Sequence, residues 1–306
     1  MLIAVTGSSG MIGSALVRAL VADGHSIRRL VRRPTRARDE VAWNPGRDEI
    51  DAKALSGIDA VVNLAGENIA QRWTRESMRR IRESRVRGTT LVATAMASLT
   101  PRPRVLVSGS AVGYYGERGD EILDETSRAG DDFLASVCKD WEAATLPARD
   151  AGIRVAISRT GIVLDRRGGA LAKMLTPFRL GVGGHLGNGR HWMSWIAISD
   201  MVRALRFLLE HDGAEGPFDL TAPTPVDNAE FTRVLASVLH RPAIFPVPRL
   251  ALELLYGPMA KGAALASQRA LPRQLLADGF EFALPDLREA LESVVRPRPH
   301  PHPAAA

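Results

Sequence analysis

The stretch IAVTGSSGMIGSALVRAL, Ile3 to Leu20, decides the fold. It opens as an apolar strand, turns through Gly7, Gly10 and Gly13, and continues with Ile12, Leu16, Val17 and Leu20 on one helical stripe. A glycine-rich turn between strand and helix is the context a dinucleotide fingerprint requires. Gly7 permits the tight turn, Gly10 lets backbone approach a pyrophosphate, and Gly13 lets helix and strand pack closely. The backbone from Ser9 through Gly10, Met11, Ile12 and Gly13 then offers free N–H groups and the positive end of a helix dipole to phosphates. Without a ligand, the same pattern would be a plain strand-to-helix turn. The helix is expected to run from about Met11 to Asp23 and to stop at Gly24, a residue suited to a C-terminal cap.

Outward from this unit, LIAVT, SIRRLV, DAVVNLA, RVLVS and IRVAISR recur as apolar runs of strand length with helix-period stretches between them. That alternation predicts an α/β fold, a Rossmann doubly wound parallel sheet with helices on both faces. After Gly161 the segments RRGG and LGVGGHLGNGR are glycine-rich and serve either as substrate loops or lids or as simple surface turns. Beyond Pro223 helical segments punctuated by proline suggest a smaller, mostly helical lobe over the carboxyl edge of the sheet. The expected organisation is a Rossmann domain over 1–165, completed by about 193–220, a small substrate lobe from 166–192 and 221–295, and a disordered tail over 296–306. The tail's His300 and His302 read as low-complexity sequence, and no metal site is expected.

The 306 residues, 45% of them hydrophobic, fit a folded chain with a sizeable core. No run of about 18 uncharged apolar residues occurs, and the first residues lack a cationic leader and cleavage site, so the expectation is a cytoplasmic protein with no membrane partner. The single cysteine, Cys138, excludes an internal disulfide. A net charge of +6 suits an anionic partner, but the arginines are scattered, which favours a phosphate-bearing small molecule over nucleic acid. In an NAD site the second strand ends in an acidic residue about twenty positions past the glycines, where it accepts from the ribose 2′-hydroxyl. Here the second strand runs into LVRRPTRAR, and Arg32 and Arg33 would instead attract a 2′-phosphate. The expected cofactor is NADP(H); a solvated basic loop is the alternative.

TGSSGMIG, DAVVNLAGE, VLVSGSAVGYYG and SWIAISDMVRAL together resemble the extended short-chain dehydrogenase/reductase family. WNP, NLAGENIAQRW, DDFLASVCKDWE, GNGRHWMSW, APTPVDNAEF and LPRQLLADGFEFALPDL narrow the resemblance to its atypical branch, the epimerase family of unknown substrate, related to NAD-dependent epimerases and dehydratases. The resemblance implies a small C-terminal domain over the nicotinamide end. By position it places Asn63, Leu64, Ala65 and Gly66 over the cofactor, Arg159, Thr160 and Gly161 beside the nicotinamide amide, and Ser108 and Cys138 against the cofactor. His191 stands where relatives would carry Gln, and Ala197 where they often carry His.

Ordinary members use a Tyr-x-x-x-Lys pair whose spacing sets both groups on one helical face, the lysine lowering the tyrosine's pKa for proton exchange during hydride transfer. Counting back from Glu142 puts Cys138 at the lysine position and Leu134 at the tyrosine position, and leucine cannot move a proton. Lys139 is one residue off, about 100° around the helix, and reads as an exposed charge. Phe133, Val137 and Trp141 read as core. Ser110 matches the family serine that binds the substrate hydroxyl, and Tyr114 or Tyr115 could supply a phenol if the loop folds inward. Glu67 is a further acid or base, and His191, Trp192 and Trp195 could line a substrate pocket. The expected activity is an NADP(H)-dependent oxidoreductase or epimerase-like enzyme acting on a small polar or nucleotide-linked substrate, with a homodimer as the open assembly. The alternative is a catalytically silent NADP(H)-sensing regulatory protein acting through a protein partner, cell division being a setting to which some relatives are linked.

Overall fold

In the computed structural model, which describes residues 1–296, the opening unit folds as its pattern predicts. Strand β1 (Leu2–Thr6) runs into helix α1 (Met11–Ala22) through the glycine turn. The helix ends one residue before the expected Asp23, which caps it; the Gly24 amide donates to the Val21 carbonyl at 3.0 Å, from a φ of 81°.

Further strands are β2 (Ser26–Val31), β3 (Glu40–Asn44), β4 (Glu49–Ile50), β5 (Ala60–Asn63), β6 (Val105–Ala111), β7 (Ile122–Leu123) and β8 (Arg154–Thr160). After them come β9 (Ile162–Leu164), β10 (Trp192–Met193), β11 (Trp195–Ala197), β12 (Gly216–Leu220), β13 (Val226–Asp227) and β14 (Arg269–Ala270). The remaining α-helices are α2 (Arg75–Ser98), α3 (Phe133–Ala143), α4 (Leu146–Asp150), α5 (Gly169–Arg179) and α6 (Ile198–Glu210). They are followed by α7 (Asn228–Leu239), α8 (Arg249–Tyr256), α9 (Arg273–Ala277) and α10 (Leu287–Val295).

Eight strands form one sheet in the order β12-β8-β6-β5-β1-β2-β3-β4, parallel except for the antiparallel β3–β4 edge. From β1 the chain winds first toward β2 and then back toward β5. The carboxyl ends of these strands therefore flank a crevice, the ligand position in doubly wound sheets. Strand periodicity sorts the layers: Ile3 and Val5 pack with Leu16 and Leu20 of α1 and Leu205 and Leu208 of α6, while Ala4 packs with Val92 and Met96 of α2 on the other face. The β3 segment EVAWN lies next to the arginine loop and was not among the strands the sequence suggested. It forms because Val41 and Trp43 bury into the α2-side core while Glu40 is held by arginine.

A second core lies under α5, α7 and α10, where Leu171, Leu175, Phe231, Leu235 and Leu291 surround Leu164 of β9 and Trp195 of β11. The C-terminal segment serves both cores, since Leu275 and Phe280 join the sheet core while Leu287 and Leu291 join the second. Its strand β14 pairs with β7. Arg296, assigned above to the tail, is anchored: its guanidinium donates to the Val238 carbonyl at 2.7 Å. His300 and His302 lie outside the described residues, among which no helix is long and apolar enough to cross a membrane.

Candidate functional site

The turn after β1 leaves room that side chains would fill. A Cβ on Gly7 would come within 2.8 Å of the Leu64 carbonyl, and one on Gly13 within 2.2 Å of the Gly7 oxygen, so both positions require glycine. Gly10 meets only the Gly7 oxygen, at 3.2 Å, and opens outward beside the exposed Ser9. No side chain caps α1, so the amides of its first turn, Met11, Ile12 and Gly13, point into the crevice without a side-chain partner among the described residues. Opposite them, the amides of Leu64 and Ala65 each donate to Thr6 Oγ1 at 3.0 Å. Thr6 donates to Asn63 at 2.7 Å; Asn63 and Trp141 Nε1 donate to Thr89 at 2.8 and 2.9 Å. This buried chain ties β1, β5, α2 and α3 together. Bare amides, a helix terminus and the absence of any Cβ over Gly10 fit a dinucleotide diphosphate, with Met11 and the Leu64–Gly66 turn as its walls.

At the β2 end, Arg32 and Arg33 are both exposed, but their circumstances differ. Arg33 grips Glu40 with two donors, at 2.9 and 2.5 Å, and that carboxyl is held at about 2, chiefly by the Arg33 hydrogen bonds and the Arg36 amide. Arg32 has no ion pair among the described residues. Of the two arginines expected to hold a 2′-phosphate, Arg32 stands ready and Arg33 must share itself with Glu40.

Beyond β6 the site is built from buried charge. Ser110 Oγ donates to Glu142 Oε1 at 2.7 Å, and Arg159 holds both oxygens of Glu142 at 2.9 Å. A third nitrogen of Arg159 reaches the Tyr115 hydroxyl at 3.2 Å and the Glu125 carbonyl at 3.3 Å. Tyr115 in turn contacts both oxygens of Asp219 at 2.8 Å. Burial works against the Arg159 charge, but Glu142 outweighs it and the group stays protonated. Burial also lifts the Asp219 carboxyl well above its usual range, and the Glu125 charge adds to this.

This network corrects two expectations. Tyr115 is fully buried, and burial raises its pKa, so it is a structural phenol rather than a proton donor facing substrate. Arg159 is 3% exposed and committed to Glu142, so its guanidinium braces the fold rather than being offered to a ligand. Ser108 is likewise buried, within reach of only the Gly109 carbonyl at 3.5 Å. Tyr114 remains half-buried, its ring face 3.5 Å from Arg159 Cζ, and its hydroxyl makes no hydrogen bond among the described residues.

On α3, Leu134 faces Gly113, and Cys138 is buried with its thiol 3.7 Å from the Ala111 carbonyl. Burial, with the Glu142 charge, pushes that thiol up to about 12, so it is no nucleophile at neutral pH. Lys139 is exposed, as its helical phase predicts, and Val137 and Trp141 are core. Glu67 is half-buried after the Leu64–Gly66 turn and accepts from Gln71 at 3.3 Å.

A cleft of about 710 Å³ opens between the turn after Tyr115 and the small lobe, lined by Glu117, Asp120, Arg190, His191, Arg249 and Lys261 among others. His191 belongs to it, and burial lowers its pKa so that the imidazole is neutral at neutral pH. Trp192 flanks it, donating to Asp120 at 2.8 Å with Arg269 stacked 4.0 Å from its ring. Trp195 does not: it is fully buried in the second core, its indole N–H on the Thr224 carbonyl at 3.0 Å, and the expectation that it lines a pocket is corrected. The residues that sequence reasoning did not assign to the site are Asp219, Glu125 and Arg85, together with the acids and cations of this cleft. Their partners are far away in sequence, as with Tyr115 and Asp219, 104 positions apart. A buried-length strand such as GPFDL, carrying a lone acid one residue before its end, was the one available signal.

With this geometry in view, likeness to known proteins is informative. The NAD dependent epimerase/dehydratase family matches residues 3–220, and a domain of unknown function (DUF1731) matches residues 247–294. An epimerase family protein of Mycobacterium leprae is 44% identical over 290 residues, covering 94% of each chain. The crystal structure of human epimerase family protein SDR39U1 with NADPH superposes at a TM-score of 0.90 and 34% identity, covering 97% of this chain and all of that one. A nucleoside-diphosphate sugar epimerase from Corynebacterium glutamicum superposes at 0.81 with 38% identity, over 96% of this chain and 58% of that longer one.

Proposed function

The chain belongs to the NAD dependent epimerase/dehydratase family, and from that premise we propose that it is a cytoplasmic NADP(H)-dependent oxidoreductase or epimerase acting on a small polar or nucleotide-linked substrate. One observation carries this reading: the uncapped first turn of α1 lies open at Gly10, with exposed Arg32 at the end of the neighbouring strand. The NADPH in the human relative's structure and the nucleoside-diphosphate sugar in the Corynebacterium relative's name support it.

When bound, the nicotinamide would supply or accept a hydride. The chain's own residues do the rest. The α1 amides hold the diphosphate, and Arg32 the 2′-phosphate. Ser110, oriented by Glu142, positions a substrate oxygen, while Tyr114, its ring fixed by Arg159, is the phenol left to exchange a proton. The cleft under the small lobe, with Arg190 and Lys261, receives the polar or phosphorylated end of the substrate.

Calorimetric titration tests the cofactor assignment. The Arg32→Glu variant should bind NADPH about tenfold or more weakly and leave NADH within about threefold, because a charge-assisted contact to phosphate is lost. An unchanged NADPH preference ends the idea. A second reading, a cofactor-sensing regulatory protein, is favoured by Leu134 and Cys138 in place of the proton-relay pair. It requires NADPH to change affinity for a protein partner, and a cofactor-insensitive pull-down counts against it.

A further inference from the structure

Large apolar side chains stand in solvent at eleven positions among the described residues, and seven of these fall in two short segments of the small lobe. Leu180 and Val182 follow α5, and Ile244 and Phe245 precede α8. The two segments lie side by side, because the Phe245 amide donates to the Gly183 carbonyl at 3.3 Å and the Val247 amide to the His185 carbonyl at 2.9 Å. Helix α8 adds Leu250, Leu254 and Leu255, the first two 78% and 76% exposed, and of its eight residues buries only Leu252. A concentration of apolar surface of that kind on a folded chain marks a face that another molecule covers.

The spacing on α8 says what covers it. At about 100° per residue, Leu250 and Leu254 share one stripe, Leu252 lies opposite them against the protein, and Arg249 and Glu253 share the edge beside the stripe. Arg249 and Glu253 are paired at 2.6 Å, and both remain partly in solvent. An arginine at the first position of a helix is set against the positive end of its own dipole, and no acid in the first turn of α8 offsets it. About a twofold axis at the level of Leu252, an antiparallel copy would bring its Leu254 onto Leu250 and lay like edges side by side. The same axis carries the copy's Glu253, and the negative end of its helix, to Arg249. Charges of both signs one turn apart suit a copy of the helix, whereas a surface of one sign meets one of the two unfavourably. The nearby Arg72 and Arg241 do not tip this balance, being turned to the carbonyls of Leu254 and Arg179. We propose that a second copy of this chain docks on this face, α8 against α8 in antiparallel sense, with the Phe245 ridge widening the contact. Arg249 also lines the cleft of about 710 Å³, so the docked copy braces the outer wall of that cleft. The face lies apart from the NADP(H) crevice, and its test holds whichever cofactor binds there.

Sedimentation velocity on the full chain from about 1 to about 100 µM provides the test. The unaltered chain should pass from monomer to dimer as concentration rises. Leu250→Glu combined with Leu254→Glu should weaken the dimer about hundredfold or more and leave the far-UV circular dichroism spectrum unchanged, because neither side chain belongs to a core. Arg249→Glu and Glu253→Arg should each weaken it about tenfold, and an equimolar mixture of the two variants should recover the original affinity within about threefold, since each copy then supplies the charge the other lacks. Both variants lack the pair within one helix, so recovery on mixing reports contact between copies. A chain that stays monomeric throughout overturns the proposal. So does a leucine variant that dimerises undiminished, which would put the contact elsewhere, and so does a mixture no tighter than its components. Flotation of the monomeric chain with phosphatidylglycerol vesicles would make a lipid surface the occupant, and overturns it as well.

Discussion

At the β2 end of the crevice Arg32 stands in solvent and Arg33 leans on Glu40, whereas beyond β6 the guanidinium of Arg159 is sealed and divides its donors among Glu142, Tyr115 and the Glu125 carbonyl. Exposed cations can follow a ligand, lose little when it leaves, and are screened by salt. Sealed ones fix geometry, because every partner removed leaves another charge unpaired. The first end is therefore free to answer a ligand, and the second holds its geometry. Between them the glycine turn contributes shape alone.

Breaking the sealed end should have the largest effect. Arg159→Ala leaves Glu142 buried without its partner, and should destabilise the chain by about 4 kcal/mol, read as a lower denaturation midpoint by circular dichroism. If the loss is no larger than that of an exposed pair such as Arg79 with Glu76, the contrast between the two ends fails. The glycine turn comes next. Gly13→Ala would set a methyl 2.2 Å from the Gly7 oxygen, costing about 3 kcal/mol and weakening any nucleotide held by the same turn. Wild-type melting together with wild-type NADPH affinity would show that the turn is not close-packed.

The smallest effect sharpens the comparison through pH. Asp219 keeps its proton in the folded chain above the usual carboxyl range, because it is buried and faces the Glu125 charge. The stability it contributes is full below the unfolded carboxyl value and is lost as pH rises through the raised folded value. Asp219→Asn, which still accepts from Tyr115, should therefore raise the melting temperature relative to wild type more at about pH 8 than at about pH 4. A difference that is constant across that range would show that Asp219 is ionised in the fold.

The layers were legible in the sequence because they depend on local spacing. Three glycines between strand and helix, period-two strands and the phase that turns Lys139 outward are each written within a dozen residues. The sealed end was not legible, because pairing between Ser110, Glu142, Arg159, Tyr115 and Asp219 is created only when β6, α3, β8 and β12 are brought together. Trp195 shows the same limit: beside Trp192 in a glycine-rich segment it reads as a pocket wall, and the pairing of β11 with β9 turns it into the second core. Strand β3 was hidden by its arginine-rich flank, since the acid that starts it is neutralised by Arg33 from the preceding strand's end.

The C-terminal stretch carries a consequence for how the molecule is made. Residues 247–294 hold β14 against β7, place Leu275 and Phe280 in the sheet core, and place Leu287 and Leu291 in the other. A chain emerging from the ribosome thus has neither interior finished until residues 275–291 are released, and the two halves mature in one step instead of one after the other.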